Sequence, residues 1–519
     1  MIVLMNFFSS QATPLGGANV GIRMHKVIRV IFVIYLFLSG YTMAHHELWS
    51  DEIHGWNIAK GSDRFPDLIA NSRYEGHPPG WYVLLWAVSK VTHQVVALKL
   101  LQWVIACLVV YVVLYYSPFP LFIRMLIPFG YYFCYEYAVL SRNYAIGVLL
   151  TFCVCLVIRR DKKALYYTLL FLLSNIHLLT LLIAASLHGY FLLLTIEQKK
   201  RTRTVLLHAL AGVLIFLPSV YFIFPPADSQ LNTHFWMSRW DLHHLAALGE
   251  VPVQAFVPVP SWWDSHPWNT EFLLEAAKGP YSFLRWVNPL LALLLLALAC
   301  WILRRNPKSL LFFITNLLLS FLVTATVFPL TSARHAGFLF ISFIVALWLF
   351  SYEAPLTKKG GMFFITLLVI QLTAGLFFVV QDIRLPFSNL YRMKEVLKEI
   401  PPEGKLVTDY WTMNAVVGFT DKPVYCIDVQ RELSFVKWNQ ELSQVQANPH
   451  RFTEGIRHLF LMEKIQTVYF VSQNSPATLH KIDPDLSGGL QWTLIDKKEG
   501  ALEGGSNLYL YRVAGLDNL

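Results

Sequence analysis

Apolar runs of about twenty residues recur along this chain, with short basic clusters between them. No other feature limits the fold as strongly. A run of that length crosses the hydrocarbon core of a bilayer as a helix. Lys and Arg collect in the cytoplasmic loops between such helices. The clusters are Arg159-Arg160 with Lys162-Lys163, Lys199 to Arg203, Arg304-Arg305 with Lys308, and Lys358-Lys359. Composition agrees, since 55% of the 519 residues are hydrophobic and only 14% are charged. A soluble domain carries about a quarter charged residues. The net charge of +9 therefore belongs to the topology and does not imply nucleic acid as a partner.

Charge and parity together predict the course of the chain. Arg23, Lys26 and Arg29 stand at the head of the first apolar run, Val27–Ala44, and put its start on the cytoplasmic side. Residues 1–26 form a cytoplasmic extension, and Met24, after the polar stretch Ser9–Gly21, is the expected start of translation. Cleaved signals have a shorter apolar core, so this run is expected to stay as an anchor. Segments 80–92, 94–116, 119–134 and 143–158 follow, and parity makes one of them short or re-entrant. The segment 119–134, introduced by Ser117-Pro118-Phe119-Pro120, is the expected exception. A helical hairpin over 164–196 and runs at 204–224, 286–303, 309–328, 335–351 and 361–380 bring the total to about eleven crossings. Two long loops, 45–79 and 225–285, then share the extracytoplasmic side with the C-terminal region. The membrane domain is 27–380, all α-helical.

From residue 381 the pattern changes. Ser388–Ile400 reads as an amphipathic helix. Strands are expected at Lys405–Asp409, Val424–Ile427, Thr467–Val471, Gln491–Ile495 and Asn507–Val513, with helices between them. Residues 381–519 are thus a small extracytoplasmic α/β domain, with no glycine-rich phosphate loop. Five of the six cysteines (Cys107, Cys134, Cys153, Cys155, Cys300) lie in apolar runs, and Cys426 in the α/β part, so no disulfide framework is indicated.

The loop 45–79 concentrates the polar chemistry. Asp51-Glu52 follows the first span, and Glu75 and His77-Pro78-Pro79 precede the second. Arg142 and Arg334 each head a later apolar run, followed by Tyr144 and His335. Ionisable residues in such runs are costly and tend to mark function. The blander readings are solvated acids at a helix start, snorkelling arginines, a local Arg73–Glu75 ion pair, and Trp262, Trp263 and Trp268 as interfacial anchors.

This order resembles the GT-C superfamily of glycosyltransferases, in its protein O-mannosyltransferase and aminoarabinose-transferase branch. The residues that carry the likeness are Asp51-Glu52, His77-Pro78-Pro79, Ser141-Arg142-Asn143-Tyr144 and Arg334-His335, where the family has Arg-Tyr. The resemblance covers the membrane part and is loose beyond residue 380. It implies a multi-pass enzyme, in bacteria of the inner membrane, facing outward. Such an enzyme moves a hexosyl or pentosyl group from a polyprenyl-phosphate carrier to a hydroxyl of a lipid, glycan or protein.

In that chemistry the phosphate leaves and needs cationic stabilisation, which Arg142 and Arg334 would supply. His77, Glu75, Tyr144 and His335 would bind phosphate or sugar. Asp51 would take the proton of the attacking hydroxyl, and Glu52 would orient Asp51 or bind a sugar hydroxyl. One displacement inverts the anomeric centre. Asp51-Glu52 could instead hold a divalent cation. The histidines His45, His46, His54, His77 and His243-His244 show no zinc spacing. Asp228, Asp241 and Asp264 are reserve candidates for the base. A transporter or flippase of lipid-linked glycans is the alternative, although it would show broken helices in repeated halves.

Overall fold

The structure is a computed structural model. It describes residues 18–230, 242–277, 283, 286–327 and 330–516. The chain is mostly helical, with a sheet near its C-terminus. Among the described residues seven helices are long and apolar enough to cross a membrane, and four shorter apolar ones lie among them. The protein is therefore a multi-pass membrane protein.

In chain order the principal helices are α1 (Ala18–His45), α2 (Ser50–Lys60), α3 (Phe65–Ser72), α4 (Gly80–Ser89) and α5 (Val96–Tyr116). They continue as α6 (Tyr144–Val157), α7 (Lys163–Ser174), α8 (Leu178–Glu197), α9 (Thr202–Ile223) and α10 (Leu242–Phe256). The last four of the membrane part are α11 (Val287–Leu303), α12 (Pro307–Thr326), α13 (Ala333–Ser351) and α14 (Lys358–Arg384). The hub is α13, whose apolar window is 89% buried, against 22% for α9. Apolar residues all round its circumference let it face protein on every side. The residues at its head, Arg334 and His335, are thereby brought into the middle of the bundle.

Two segments, 45–79 and 225–285, differ from expectation, while 119–134, the expected exception, is broken. The stretch 45–79 is not an irregular loop but holds α2 and α3. Ile53, Trp56, Ile58 and Ala59 of α2 are buried. Gly418 packs so closely on Ile53 that a Cβ there would clash with it. Within 225–285 the chain forms α10, which packs on α11, α12 and α13 and buries Val251, Val253 and Phe256. The segment 119–134 is no single helix. It breaks into Leu121–Leu126, a 3₁₀ turn Ile127–Phe129 at Pro128, and a π-helical turn Tyr132–Glu136. Ser141 and Arg142 follow after the turn residues 137–140.

The C-terminal part forms a six-stranded sheet of order β3-β2-β1-β4-β6-β5. Its strands are β1 (Lys405–Thr408), β2 (Val424–Cys426), β3 (Arg431–Leu433), β4 (Thr467–Ser472), β5 (Leu490–Lys498) and β6 (Leu508–Gly515). β1 runs parallel to β2 and β4, and the other pairings are antiparallel. Helices α15 (Met413–Thr420) and α16 (Arg451–Glu463) connect the parallel strands. Five strands stand where periodicity predicts them. The sixth, β3, is three residues with no apolar alternation, so nothing in its sequence announces it. The amphipathic stretch 388–400 folds as short 3₁₀ and α turns over Asn389–Glu399 rather than one helix.

Candidate functional site

The first turn of α2 carries Asp51 and Glu52, and their surroundings separate them completely. Asp51 is partly exposed, its side chain 39% accessible. Its Oδ2 lies 3.9 Å from Nη1 of Arg142 and 3.8 Å from Nη2 of Arg334. Both distances exceed hydrogen-bond length. The carboxylate therefore sits in the field of two guanidinium groups while its oxygens stay open to a ligand. Arg142 is held in place by donating through Nη1 to the main-chain carbonyl of Asp51 at 2.5 Å.

Arg334 is positioned by aromatic rings. Its guanidinium carbon lies 5.2 Å from the ring centre of Trp49 and 5.4 Å from that of Trp268. Its Nε and Nη1 are buried with no hydrogen-bond partner among the described residues. A buried charged donor left unpaired is expensive, and an anion relieves it.

Glu52 has a different job. It is fully buried, and its Oε1 accepts the main-chain N–H of Ser141 at 2.5 Å. Its Oε2 accepts the Trp49 N–H at 3.0 Å and faces Nε2 of His46 at 3.1 Å. Nδ1 of His46 donates to Asp382 near the end of α14, at 2.8 Å. Burial opposes the charge on His46, but Asp382 and Glu52 together overcome it and raise its pKa to about 10. Glu52 is thus committed to protein partners. The expectation that it binds a sugar hydroxyl or orients the Asp51 side chain is replaced by a positioning role, in which it ties α2 to the residue before Arg142.

Three histidines line the other side. His77 is half-buried, its ring centre 4.4 Å from that of His177. Burial and the charge of Arg142 push its pKa down to about 4. His177 caps α8: its Nδ1 accepts the N–H of Leu179 at 3.1 Å, which leaves the proton on Nε2. That Nε2 is buried without a partner among the described residues. His335 bonds Ser332 through Nδ1 at 2.8 Å and meets the Tyr144 hydroxyl through Nε2 at 3.3 Å, linking α6 to α13. Sequence reasoning missed His177 by treating its hairpin as support. The signal was there, in a lone histidine between apolar stretches, Ile176-His177-Leu178-Leu179.

Glu75 accepts from His54 Nε2 at 3.0 Å and from the Tyr82 hydroxyl at 3.1 Å. Burial works against the His54 charge, yet Glu75 holds its pKa above the ordinary value. The expected Arg73–Glu75 pair does not form. Arg73 turns instead to the Tyr221 hydroxyl and the Phe224 carbonyl. Trp268 is no interfacial anchor either. It is buried against Arg334 and donates to Glu136 at 3.1 Å. Trp262 and Trp263 are exposed.

Asp51, Arg142, Arg334, His77, Tyr144 and His335 thus meet in one cluster with Trp49, His177 and Trp268, and Glu75 borders it. Of the reserve acids, Asp228 accepts from Tyr74 and Asp264 from the His266 N–H, both apart from this cluster. Asp241 lies outside the described residues, as do His234, Trp236, Arg239 and the side chains of His243 and His244.

A divalent cation does not suit the acidic pair. Both oxygens of Glu52 already accept from protein donors, and two arginines flank Asp51. Among the described residues no three of His, Cys, Asp or Glu are arranged to hold a metal.

No protein-family model matches the chain, and no curated protein matches its sequence.

Proposed function

We propose that the protein is an integral-membrane glycosyltransferase of the GT-C type. It moves a sugar from a polyprenyl-phosphate donor to the hydroxyl of a lipid, glycan or protein acceptor. The observation that carries this reading is the arrangement around Asp51: an accessible carboxylate between two guanidinium groups, one of which has two buried nitrogens without a partner. A phosphate leaving group takes up those donors as its charge develops. The acceptor hydroxyl lies against Asp51, gives it a proton, and attacks the anomeric carbon from the face opposite the phosphate. The configuration inverts. The neutral donors of His177 and Tyr144 suit sugar hydroxyls.

Basic clusters between the spans support a cytoplasmic N-terminus, about eleven crossings, and a site facing outward from a bacterial inner membrane. On that topology the α/β domain is extracytoplasmic. Cysteines introduced one at a time test the topology, and labelling from outside at position 160 but not at 264 overturns it.

The reaction is tested by sugar transfer from polyprenyl-phosphate sugars in purified membranes, wild type beside Asp51→Asn. Transfer by the wild type and its loss in the variant are expected. Equal transfer by both proteins removes Asp51 as base.

A further inference from the structure

β1 neighbours β2 on one side and β4 on the other, and the chain leaves it in one direction and returns in the other. In open α/β sheets, ligands bind beyond the carboxyl ends of the strands at such a switch point. Here a cleft of about 460 Å³ opens beside that point, a size within the ordinary range for small-ligand sites. Trp411 stands at its edge, 43% exposed. Gln473, Asn474, Ser475, Asn507 and the ring of Tyr509 complete the wall.

The two loops that make the cleft are braced from beneath. Asp409, buried at the end of β1, accepts the Ser472 hydroxyl and the Thr412 N–H, the latter at 2.8 Å. Thr412 Oγ1 accepts the Gln473 N–H at 2.8 Å, and Ser472 Oγ accepts the Asn474 N–H at 3.0 Å. The main-chain N–H groups of Thr412, Gln473 and Asn474 are thereby satisfied internally. The Gln473 amide is left unused among the described residues, and Asn507 Oδ1 is buried without a partner.

The wall is chemically selective. None of the side chains lining the cleft is charged, so it offers nothing to pair with a phosphate or a carboxylate. It offers instead the exposed ring of Trp411, the edge of Tyr509, and several amide and hydroxyl groups that both donate and accept. Those are the complements of a neutral sugar, which has an apolar C–H face and a rim of hydroxyls. The cleft is also close to the membrane site. Trp411 packs on Trp438 with ring centres 5.5 Å apart. The Trp438 indole nitrogen lies 3.2 Å from Nε2 of His54, which is bonded to Glu75.

We propose that this cleft is a binding site for a neutral saccharide, and that it holds part of the acceptor glycan while the reacting hydroxyl reaches Asp51. The first half stands by itself; the second rests on the glycosyltransferase reading.

The test uses the full chain in nanodiscs and a panel of malto-, manno- and chito-oligosaccharides, with acidic oligosaccharides as the contrast. Saturation-transfer NMR from the aromatic protons and calorimetry report binding. At least one neutral series binds, and Trp411→Ala weakens it about tenfold or more. Trp411→Phe retains most of the affinity. Gln473→Ala, a surface change that leaves the fold alone, weakens it severalfold. Both measurements read binding without turnover, so the saccharide site is scored whether or not sugar transfer is found. Binding of acidic oligosaccharides alone, no binding by any neutral series, or neutral binding unchanged by both Trp411→Ala and Gln473→Ala overturns the proposal. Binding that follows these variants, in a chain whose transfer does not depend on Asp51, keeps the saccharide site and removes its acceptor role.

Discussion

The buried carboxylate of Glu52 accepts the main-chain N–H of Ser141. This bond joins the first turn of α2 to the residue before Arg142, so the base candidate and one phosphate candidate share a fixed frame. Replacing Glu52 with Gln keeps the shape but sets an amide where N–H donors now converge. A loss of about 1–3 kcal/mol in stability is expected, together with reduced turnover. Thermal unfolding in detergent and the transfer assay check this, and an unchanged melting midpoint removes the positioning role.

His46 makes stability depend on pH. Its pKa is about 10 in the folded protein, against an ordinary value near 6.5. Between those values the folded state binds the extra proton. The stabilisation is therefore complete below about pH 6.5 and is lost as pH rises toward 10. Melting midpoints measured across that range should fall steadily, and His46→Gln should flatten the slope while lowering stability at neutral pH. Leaving Glu52 and Asp382 buried without their cation costs on the order of 3–5 kcal/mol. A variant with the wild-type slope sinks the assignment.

Arg142→Ala and Arg334→Ala should each weaken donor use by tenfold or more, about 1.4 kcal/mol or above. Lysine should rescue only in part, because it lacks the planar fork. At position 334 the rescue should be poorer, since Trp49 and Trp268 grip a flat group. Donor titrations decide the matter, and unchanged donor affinity in both alanine variants takes the arginines out of the site.

Asp51→Asn keeps the size of the side chain and removes the proton acceptor. Loss of a general base costs on the order of 10²–10⁴ in rate. A fall of at least about 100-fold in turnover is expected, with near-normal expression and donor binding. Single-turnover measurements on a folded preparation separate chemistry from binding.

The spans are legible in the sequence because apolar length and basic loops are local signals, and α1, α8, α9, α12, α13 and α14 each carry both. Arg142 and Arg334 stand out for a related reason, as charges that begin apolar runs, and Asp51 as an acid soon after the end of one. The roles of Glu52, His177 and Trp268 were not. Each depends on a partner far along the chain, Ser141 for Glu52, Arg334 for Trp268, and His77 for His177. The helix α10 was hidden by its place in a segment that also carries Trp, His and Pro. The α/β strands were readable from alternation, except β3, which is held by β2 rather than by a pattern of its own.

The contact between Trp438 and His54 bears on how this chain could be divided. Asn57 donates to the Asn414 carbonyl at 2.8 Å, and the Asn414 amide meets His54 at 3.1 Å. The Gln230 N–H, just beyond α9, donates to the Trp438 carbonyl at 3.0 Å. Polar groups from both parts complete each other along this seam, and Gly418 admits Ile53 only because it lacks a side chain. Cutting the chain after α14 would strip partners from both faces at once. Grafting another α/β domain would require the seam to be matched residue for residue. Residues 381–519 are thus less a passenger than a seat for α2, the helix whose first turn carries Asp51.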